Sequence, residues 1–124
     1  NNYRINDSII NDDDSFWIPS FDIIESNNSF ILSTDLPGLE KKDINIDIND
    51  RVLTISGERK INIKKDNDDW LYNELKYGKF SRSFTLPESI NENKIKANFK
   101  NGVLNLEIGK IKPIKTKLKK INIT

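Results

Sequence analysis

The side chains that most often carry catalytic chemistry are scarce in this sequence. The 124 residues contain no histidine and no cysteine, which excludes histidine-dependent triads, thiol nucleophiles, disulfides and metal sites built on those two residues. The 19 Asp and Glu residues could still act as a general acid and base, as in a carboxylate-pair hydrolase. No pair is marked out, and the acidic run at residues 12–14 lacks the ligand spacing of a calcium loop. We therefore expect no enzyme, no cofactor and no metal site.

Charge and hydropathy exclude further classes of partner. The net charge is +1, and the 31% of charged residues mix both signs, so we expect no nucleic-acid binding. The lysine-rich residues 110–120 lack interleaved aromatics, which leaves binding to acidic polymers a minor alternative. No apolar run approaches the ~18–20 residues of a membrane span. No signal peptide is visible after Asn1, so we expect a cytoplasmic protein, or an organellar one if a leader was removed.

The elements that would position any functional side chain are strands. Apolar and polar residues alternate with a period of two, and β-branched residues disfavour helix. Only residues 88–93 resemble a helical turn or loop. We predict an all-β fold, a two-layer antiparallel sandwich of about seven to nine strands that is immunoglobulin-like. The alternation covers residues 21–25, 29–35, 44–48, 52–57, 80–86, 95–99 and 104–108.

Three turns join these predicted strands. Asn101 and Gly102 stand between two alternating runs, and this pair favours a type I′ turn because both residues tolerate positive φ. Pro37 and Gly38 favour a type II turn. The dipeptide at residues 49–50 predicts the third turn. The run from Ile95 to Ile108 is therefore expected to form a β-hairpin.

Several motifs in this chain resemble those of the small heat-shock protein, or α-crystallin domain, family. The motif A-x-x-x-N-G-V-L covers residues 97–104, D-L-P-G followed by K-K-D-I covers residues 35–44, and V-L-x-I-x-G-E-R covers Val52–Arg59. Further along, W-x-x-x-E-x-x-x-G-K-F covers residues 70–80, and I-x-I lies at residues 121–123. The resemblance extends over residues 21–123.

The resemblance implies a division of the chain into three parts. Residues 1–20 would be an N-terminal extension and residues 21–109 the α-crystallin domain. Within that domain, residues 58–79 would form a long loop whose short strand is exchanged with a second subunit. Residues 110–124 would be a C-terminal extension that carries the I-x-I anchor.

The resemblance also assigns roles to particular residues. Ile121 and Ile123 would dock into a groove on a neighbouring subunit, and Trp70, Glu74 and Arg82 would lie near the dimer interface. The alternative for Arg82 is an exposed side chain whose stem covers apolar surface. If Arg82 is buried instead, it would need a partner carboxylate. Client contact would fall to Phe16, Trp17 and Ile18, for which core packing is an equal alternative. The residues expected to form the groove are Ile44, Ile46, Ile48, Ile95 and Ala97.

These features imply an ATP-independent chaperone of the stress response, a holdase that binds partly unfolded client proteins. It would assemble through homodimers into higher homo-oligomers, and it has no G-x-x-x-x-G-K-[ST] nucleotide loop. A co-chaperone of the CS-domain type shares the sandwich but is typically monomeric and lacks the exchanged strand and the I-x-I tail. An adhesion or sugar-binding sandwich would need an exposed aromatic platform. A carboxylate-pair hydrolase is the remote alternative.

Overall fold

Nearly all regular structure in this chain is β-strand. The computed structural model describes residues 17–61, 63–112 and 120–124, and the backbone of residues 6–9. A single short 3₁₀ turn, Lys41–Asp43, occurs in these ranges. The strands are β1 Asn6–Ile9, β2 Phe21–Glu25, β3 Ser29–Asp35, β4 Ile44–Asn49, β5 Val52–Arg59, β6 Gly78–Thr85, β7 Ile90–Lys100 and β8 Val103–Lys110.

The strands form two four-stranded sheets in which every neighbouring pair is antiparallel. One sheet has the order β1-β6-β5-β4 and the other β2-β3-β8-β7. The predicted all-β, two-layer antiparallel sandwich is therefore confirmed. Because β4 ends the first sheet and β7 ends the second, each has a border that pairs with no other described strand.

The core lies between the two sheets and is built from the inward positions of the alternating strands. Leu53 and Ile55 of β5, for example, are fully buried, whereas Val52 at the start of the same strand is exposed. Burial of this apolar surface is the main favourable term in folding. The buried apolar residues are Phe30, Leu32, Leu36, Leu39, Leu53, Ile55, Phe80, Phe84, Leu86, Ile90, Leu104, Leu106 and Ile108.

The β7–β8 hairpin turns at the predicted dipeptide. Lys100 pairs with Val103, and Asn101 and Gly102 have φ angles of 54° and 79°. Positive φ at both central residues is the requirement of a type I′ turn, so this prediction is confirmed. The Gly102 carbonyl also accepts a hydrogen bond from the Leu36 backbone N–H at 2.6 Å, which ties the hairpin to the loop after β3.

The β4–β5 turn lies one residue further along than predicted. Asn49 pairs with Val52, and the central residues are Asp50 and Arg51, with φ angles of 50° and 66°. Tertiary contacts hold this conformation, which is uncommon for an arginine. Leu86 donates its N–H to the Arg51 carbonyl at 2.8 Å, and Arg51 Nη1 donates to the Leu86 carbonyl at 3.1 Å.

Two strands differ from what the sequence predicted. The helical turn or loop expected at residues 88–93 is right only for residues 88–89, which form a turn, and wrong for residues 90–93, because β7 already begins at Ile90. Its pairing with β8 shifts register between Ile90 and Ile95, so the alternation is interrupted there. Strand β1, which the sequence did not predict, lies within the predicted N-terminal extension. It pairs with β6 on the side away from β5.

Strand β8 ends at a clamp that fixes where the C-terminal segment leaves the sandwich. The Lys110 ammonium lies 2.7 Å from a carboxylate oxygen of Glu25 and donates to the Ser26 carbonyl at 2.7 Å. The Lys110 and Glu25 side chains are only 17% and 20% exposed. The Ile111 N–H donates to the Ser89 carbonyl at 2.7 Å. The chain is thus held by the end of β2 with its following turn, and by the residue before β7, as it exits.

Candidate functional site

An apolar groove runs between β4 and β7, the end strands of the two sheets. Its walls are Ile44 and Ile46 from β4, Ala97 and Phe99 from β7, and Leu104 from β8. The groove encloses about 490 Å³. We call this feature the β4–β7 groove.

The structure brings together three of the five residues expected to form this groove. Ile44, Ile46 and Ala97 line it. Ile48 and Ile95 lie on the same two strands, half-buried against the core, but outside the lining. Ala97 is exposed and small, so the wall of the groove is open at that point. Apolar side chains left half-buried along strands with one unpaired border offer a surface that a further chain can cover.

The rim of the β4–β7 groove is polar and basic. Lys41, Asn98 and Lys100 are exposed lining residues. Lys41 belongs to the 3₁₀ turn, which a reciprocal capping box between Glu40 and Asp43 stabilises; the Glu40 N–H donates to the Asp43 carboxylate at 2.9 Å.

The Glu40 carboxylate, just before this turn, forms an ion pair with Lys42. The Lys42 ammonium lies 3.2 Å from the Glu40 carboxylate, and the hydrogen bond that Lys42 donates to this carboxylate raises the pKa of Lys42. The two charged side chains that line the groove are both lysines, Lys41 and Lys100.

The predicted anchor residues are exposed in the single chain. Ile121 is 82% exposed and Ile123 is 98% exposed. Residues 113–119, which connect them to β8, lie outside the described residues. Two isoleucines in an extended segment project to the same side because side chains alternate along the backbone. Their apolar surface is available to another molecule.

The long loop between β5 and β6 presents further apolar surface. Trp70 is 40% exposed, and Glu74 is exposed as well. Residues 60–61 and 63–77 hold no strand in this single chain, so the exchanged strand stays a prediction about a second subunit. The exposed large apolar side chains of this loop are Ile61, Ile63, Trp70, Leu71, Tyr72 and Leu75.

Arg82 lies inside the sandwich, apart from that exposed loop. The alternative that it is an exposed side chain is wrong, since it is only 7% exposed. Its Nη1 donates to the Pro19 carbonyl at 2.7 Å. Its guanidinium carbon lies 5.1 Å and 5.2 Å from the ring centroids of Phe21 and Phe84. Arg82 therefore holds the segment before β2 against β6 within one chain.

The three residues expected to contact clients have different surroundings. Phe16 lies outside the described residues. Trp17 is half-buried and packs against the core, while Ile18 is 52% exposed. The Trp17 N–H donates to the Lys79 carbonyl at 2.8 Å. For Trp17, core packing is thus what this chain shows.

Arg59 and Tyr77 hold Trp17 in place, and the sequence analysis missed both. The Arg59 guanidinium carbon lies 5.1 Å from the Trp17 ring centroid and 5.3 Å from that of Tyr77. Trp17 also meets Phe80 edge-on, with ring centroids 5.4 Å apart. We call Trp17, Arg59 and Tyr77 the aromatic clamp. In the sequence, the only sign of these contacts is that Arg59 lies at the end of one strand and the aromatic residue Tyr77 lies just before the next.

The described residues offer no arrangement for metal chemistry, since no group of three or more Asp and Glu side chains is placed to hold an ion there. Among the same residues, no helix has the length and hydrophobicity to cross a membrane. The exposed or half-buried apolar surface described above lies in the β4–β7 groove, at Ile121 and Ile123, and on the long loop.

Comparison with known proteins identifies the class to which this sandwich belongs. A family model described as the Hsp20/alpha crystallin family matches residues 22–124. The chain therefore belongs to the Hsp20/alpha-crystallin family of small heat shock proteins, and the resemblance seen in its motifs is confirmed.

Individual relatives agree with this family. The chain is 39% identical over 100 residues to small heat shock protein C2 of Rickettsia felis. The matched region covers 81% of this chain and 65% of the relative. It is 35% identical over 125 residues to an 18.2 kDa class I heat shock protein of Medicago sativa, covering 100% of this chain and 79% of the relative. The chain spans 65% and 64% of the length of the Rickettsia protein and of an 18.1 kDa class I heat shock protein of Pisum sativum.

A solved structure shares the fold. The chain superposes on a small heat-shock protein from Xylella fastidiosa with a TM-score of 0.73 and 35% identity, covering 87% of this chain and 97% of the other. That protein is described as having a distinct high order structure. The likeness extends over both sheets, because the coverage leaves only a small part of this chain unmatched.

Proposed function

We propose that this chain is an ATP-independent holdase that binds unfolding proteins and prevents their aggregation. The observation that carries the proposal is the β4–β7 groove, an apolar depression left open at the border of both sheets in a member of the small heat shock protein family. Binding of unfolded chains lowers their free concentration and slows aggregation without any chemical step. The exposed loop apolar residues add capture surface. The cytoplasm stays the predicted location.

Homo-oligomer assembly is the second part of the proposal. Ile121 and Ile123 of one subunit would occupy the β4–β7 groove of another. Full burial of two isoleucines is worth about 3–6 kcal/mol before the entropy cost of ordering the tail. That is less than the ~8 kcal/mol of a micromolar complex. A single tail would therefore dock reversibly, and an assembly would hold through many copies, which leaves grooves free for clients.

The dimer is proposed to form through the long loop, with Trp70 and Glu74 near its interface. The apolar loop residues support this assignment, because their exposure in a single chain would be relieved against a second copy. Arg82 would act at this interface by holding the segment that leads into β2, since its own side chain is buried within the subunit.

The holdase is tested by light scattering of a heat-stressed client protein with this chain added. We expect aggregation to be suppressed near a one-to-one ratio of subunit to client. Scattering that is unchanged at that ratio would contradict the proposal.

The anchor is tested by native mass. We expect the double substitution Ile121→Ala and Ile123→Ala to convert a large assembly towards dimers, because it removes the apolar groups that fill the groove. Asn122→Ala is the matched control, since it shortens the residue between them and keeps both isoleucines, and its mass should not change. A mass unaltered by the double substitution would remove the anchor assignment. A monomer for the unsubstituted chain would favour the co-chaperone of the CS-domain type.

A further inference from the structure

The β4–β7 groove has a one-sided charge. The charged residues of its lining are Lys41, in the turn before β4, and Lys100, at the end of β7, and both are exposed. The carboxylates nearest to Lys41 along the chain are engaged elsewhere: Asp43 accepts the Glu40 N–H, and Glu40 pairs with Lys42. An apolar segment that enters the groove is therefore flanked by positive charge.

The chain's own tail carries the same sign of charge. Residues 109–124 contain no Asp or Glu. The two residues that precede Ile121 are lysines, so the proposed anchor brings positive charge towards Lys41 and Lys100. Like charges brought together across an interface weaken binding, and unlike charges strengthen it. The lysines of this segment are Lys110, Lys112, Lys115, Lys117, Lys119 and Lys120.

We propose that the preferred occupant of the β4–β7 groove is an extended segment of an unfolding protein that carries two aliphatic residues two positions apart, flanked by Asp or Glu. The inference rests on the proposed function, because it takes the groove as a binding site. The apolar walls contribute equally to any segment with two such aliphatic residues, so the flanking charges decide between competitors. An acidic client segment displaces the basic tail, and the tail then serves as a weak, replaceable cover.

The ionic strength separates the two occupants. Exposed charges are screened beyond about 10 Å at 0.1 M salt and beyond about 3 Å at 1 M. Salt therefore weakens the binding of an acidic segment and strengthens the binding of the basic tail. If the groove recognised the two isoleucines alone, added salt would not change the affinities of the acidic segment and the basic tail in opposite directions.

Peptide binding to the full chain tests this preference. The chain carries Ile121→Ala and Ile123→Ala, so that its own tail does not compete. The labelled probes are the tail sequence KLKKINIT, a neutral version QLQQINIT and an acidic version ELEEINIT, measured by fluorescence anisotropy. At 50 mM salt we expect the acidic peptide to bind about tenfold more tightly than the tail peptide. At 1 M salt we expect the difference to fall within about twofold.

Substitutions at the rim locate the effect. Lys41→Gln combined with Lys100→Gln should remove most of the difference between the acidic and basic peptides and leave the neutral peptide unchanged. The matched control is Lys60→Gln combined with Lys79→Gln, which removes the same charge from exposed lysines outside the groove lining. This control should keep the preference.

The outcomes separate the two proposals. Equal binding of all three peptides at low salt, or a preference that survives the rim substitutions, would overturn the charge preference and leave the groove as a binding site. Absence of binding by every peptide would overturn the groove assignment itself, and the charge preference with it. A tenfold preference that the rim substitutions abolish would establish both.

Discussion

Arg82 shows how one charged side chain can serve the core of a sandwich. Its guanidinium packs beside the edge-to-face pair of Phe21 and Phe84 and donates to the Pro19 carbonyl. The aliphatic stem of an arginine contributes packing while its planar head supplies several donors. Burial of this residue therefore stabilises the approach to β2.

Substitution of Arg82 should lower stability strongly. Arg82→Ala removes packing and leaves a carbonyl without its donor, so we expect the free energy of unfolding to fall by about 2–4 kcal/mol in urea titrations. Lys79→Ala, an exposed residue of the same strand, should change it by less than about 0.5 kcal/mol. Equal effects of the two substitutions would contradict the structural role of Arg82.

Gly57 and Gly102 are required for different reasons. A Cβ on Gly57 would lie 2.7 Å from a ring carbon of Phe80 and would overlap the carbonyl oxygen of Asp43. A Cβ on Gly102 would meet nothing closer than 3.6 Å, and only its φ of 79° opposes a side chain. We expect Gly57→Ala to cost about 3 kcal/mol through overpacking, and Gly102→Ala about 1–2 kcal/mol. Thermal unfolding of both variants checks this order, and the reverse order would refute the steric argument.

At the scale of elements, the contacts of Lys110 with Glu25 and Ser26 at the end of β8 should contribute measurably to stability. Lys110→Ala removes a partly buried pair with Glu25 and a bond to the Ser26 carbonyl. Hydrogen bonds to charged groups are worth about 1.5–3 kcal/mol, and we expect a loss of that size in urea unfolding. A double-mutant cycle with Glu25→Ala should give a coupling energy of about 1 kcal/mol.

The matched comparison for this clamp is the pair of Lys42 and Glu40. Their side chains are 78% and 71% exposed, and solvent screens such pairs. A cycle at this pair should give no measurable coupling. Coupling at the exposed pair that equals the coupling at Lys110 and Glu25 would contradict the idea that burial strengthens the clamp.

The strands that alternation revealed are those that bury one face against the core. Residues 44–48 and 103–108 repeat with a period of two because their inward side chains meet the facing sheet. Strand β1, which pairs with β6, could not be predicted this way, since its sequence NDSI shows no alternation of apolar and polar residues. The start of β7 was hidden by the register shift between Ile90 and Ile95, which breaks the repeat.

The groove was only partly predictable for a related reason. Alternation shows which face of β4 and of β7 is apolar, but it does not show which positions line a common depression. Ile48 and Ile95 satisfy the pattern as well as Ile44 does, yet they lie outside the lining. The basic rim depends on Lys41, which the 3₁₀ turn positions, and this turn has no periodic signal. Likewise, the Pro19 carbonyl that receives Arg82 is far away in sequence.

At the scale of the whole molecule, one tryptophan, Trp17, packs half-buried against the core, and the other, Trp70, lies on the exposed loop. In the variant Trp17→Phe only Trp70 emits, and we expect its emission to shift to shorter wavelength as protein concentration rises, because a second copy covers the loop. In the variant Trp70→Phe, Trp17 is already half-buried, and its emission should not depend on concentration. Emission of Trp70 that is constant from monomer to assembly would contradict a dimer built on this loop.

The aromatic clamp has a mechanical consequence for the chain. One guanidinium, that of Arg59, contacts Trp17, where the N-terminal segment reaches the sandwich, and Tyr77, where the long loop returns to it. Tension on either segment is thus transmitted to the same corner. A fusion or dye attached ahead of Trp17 would therefore disturb the neighbouring loop as well.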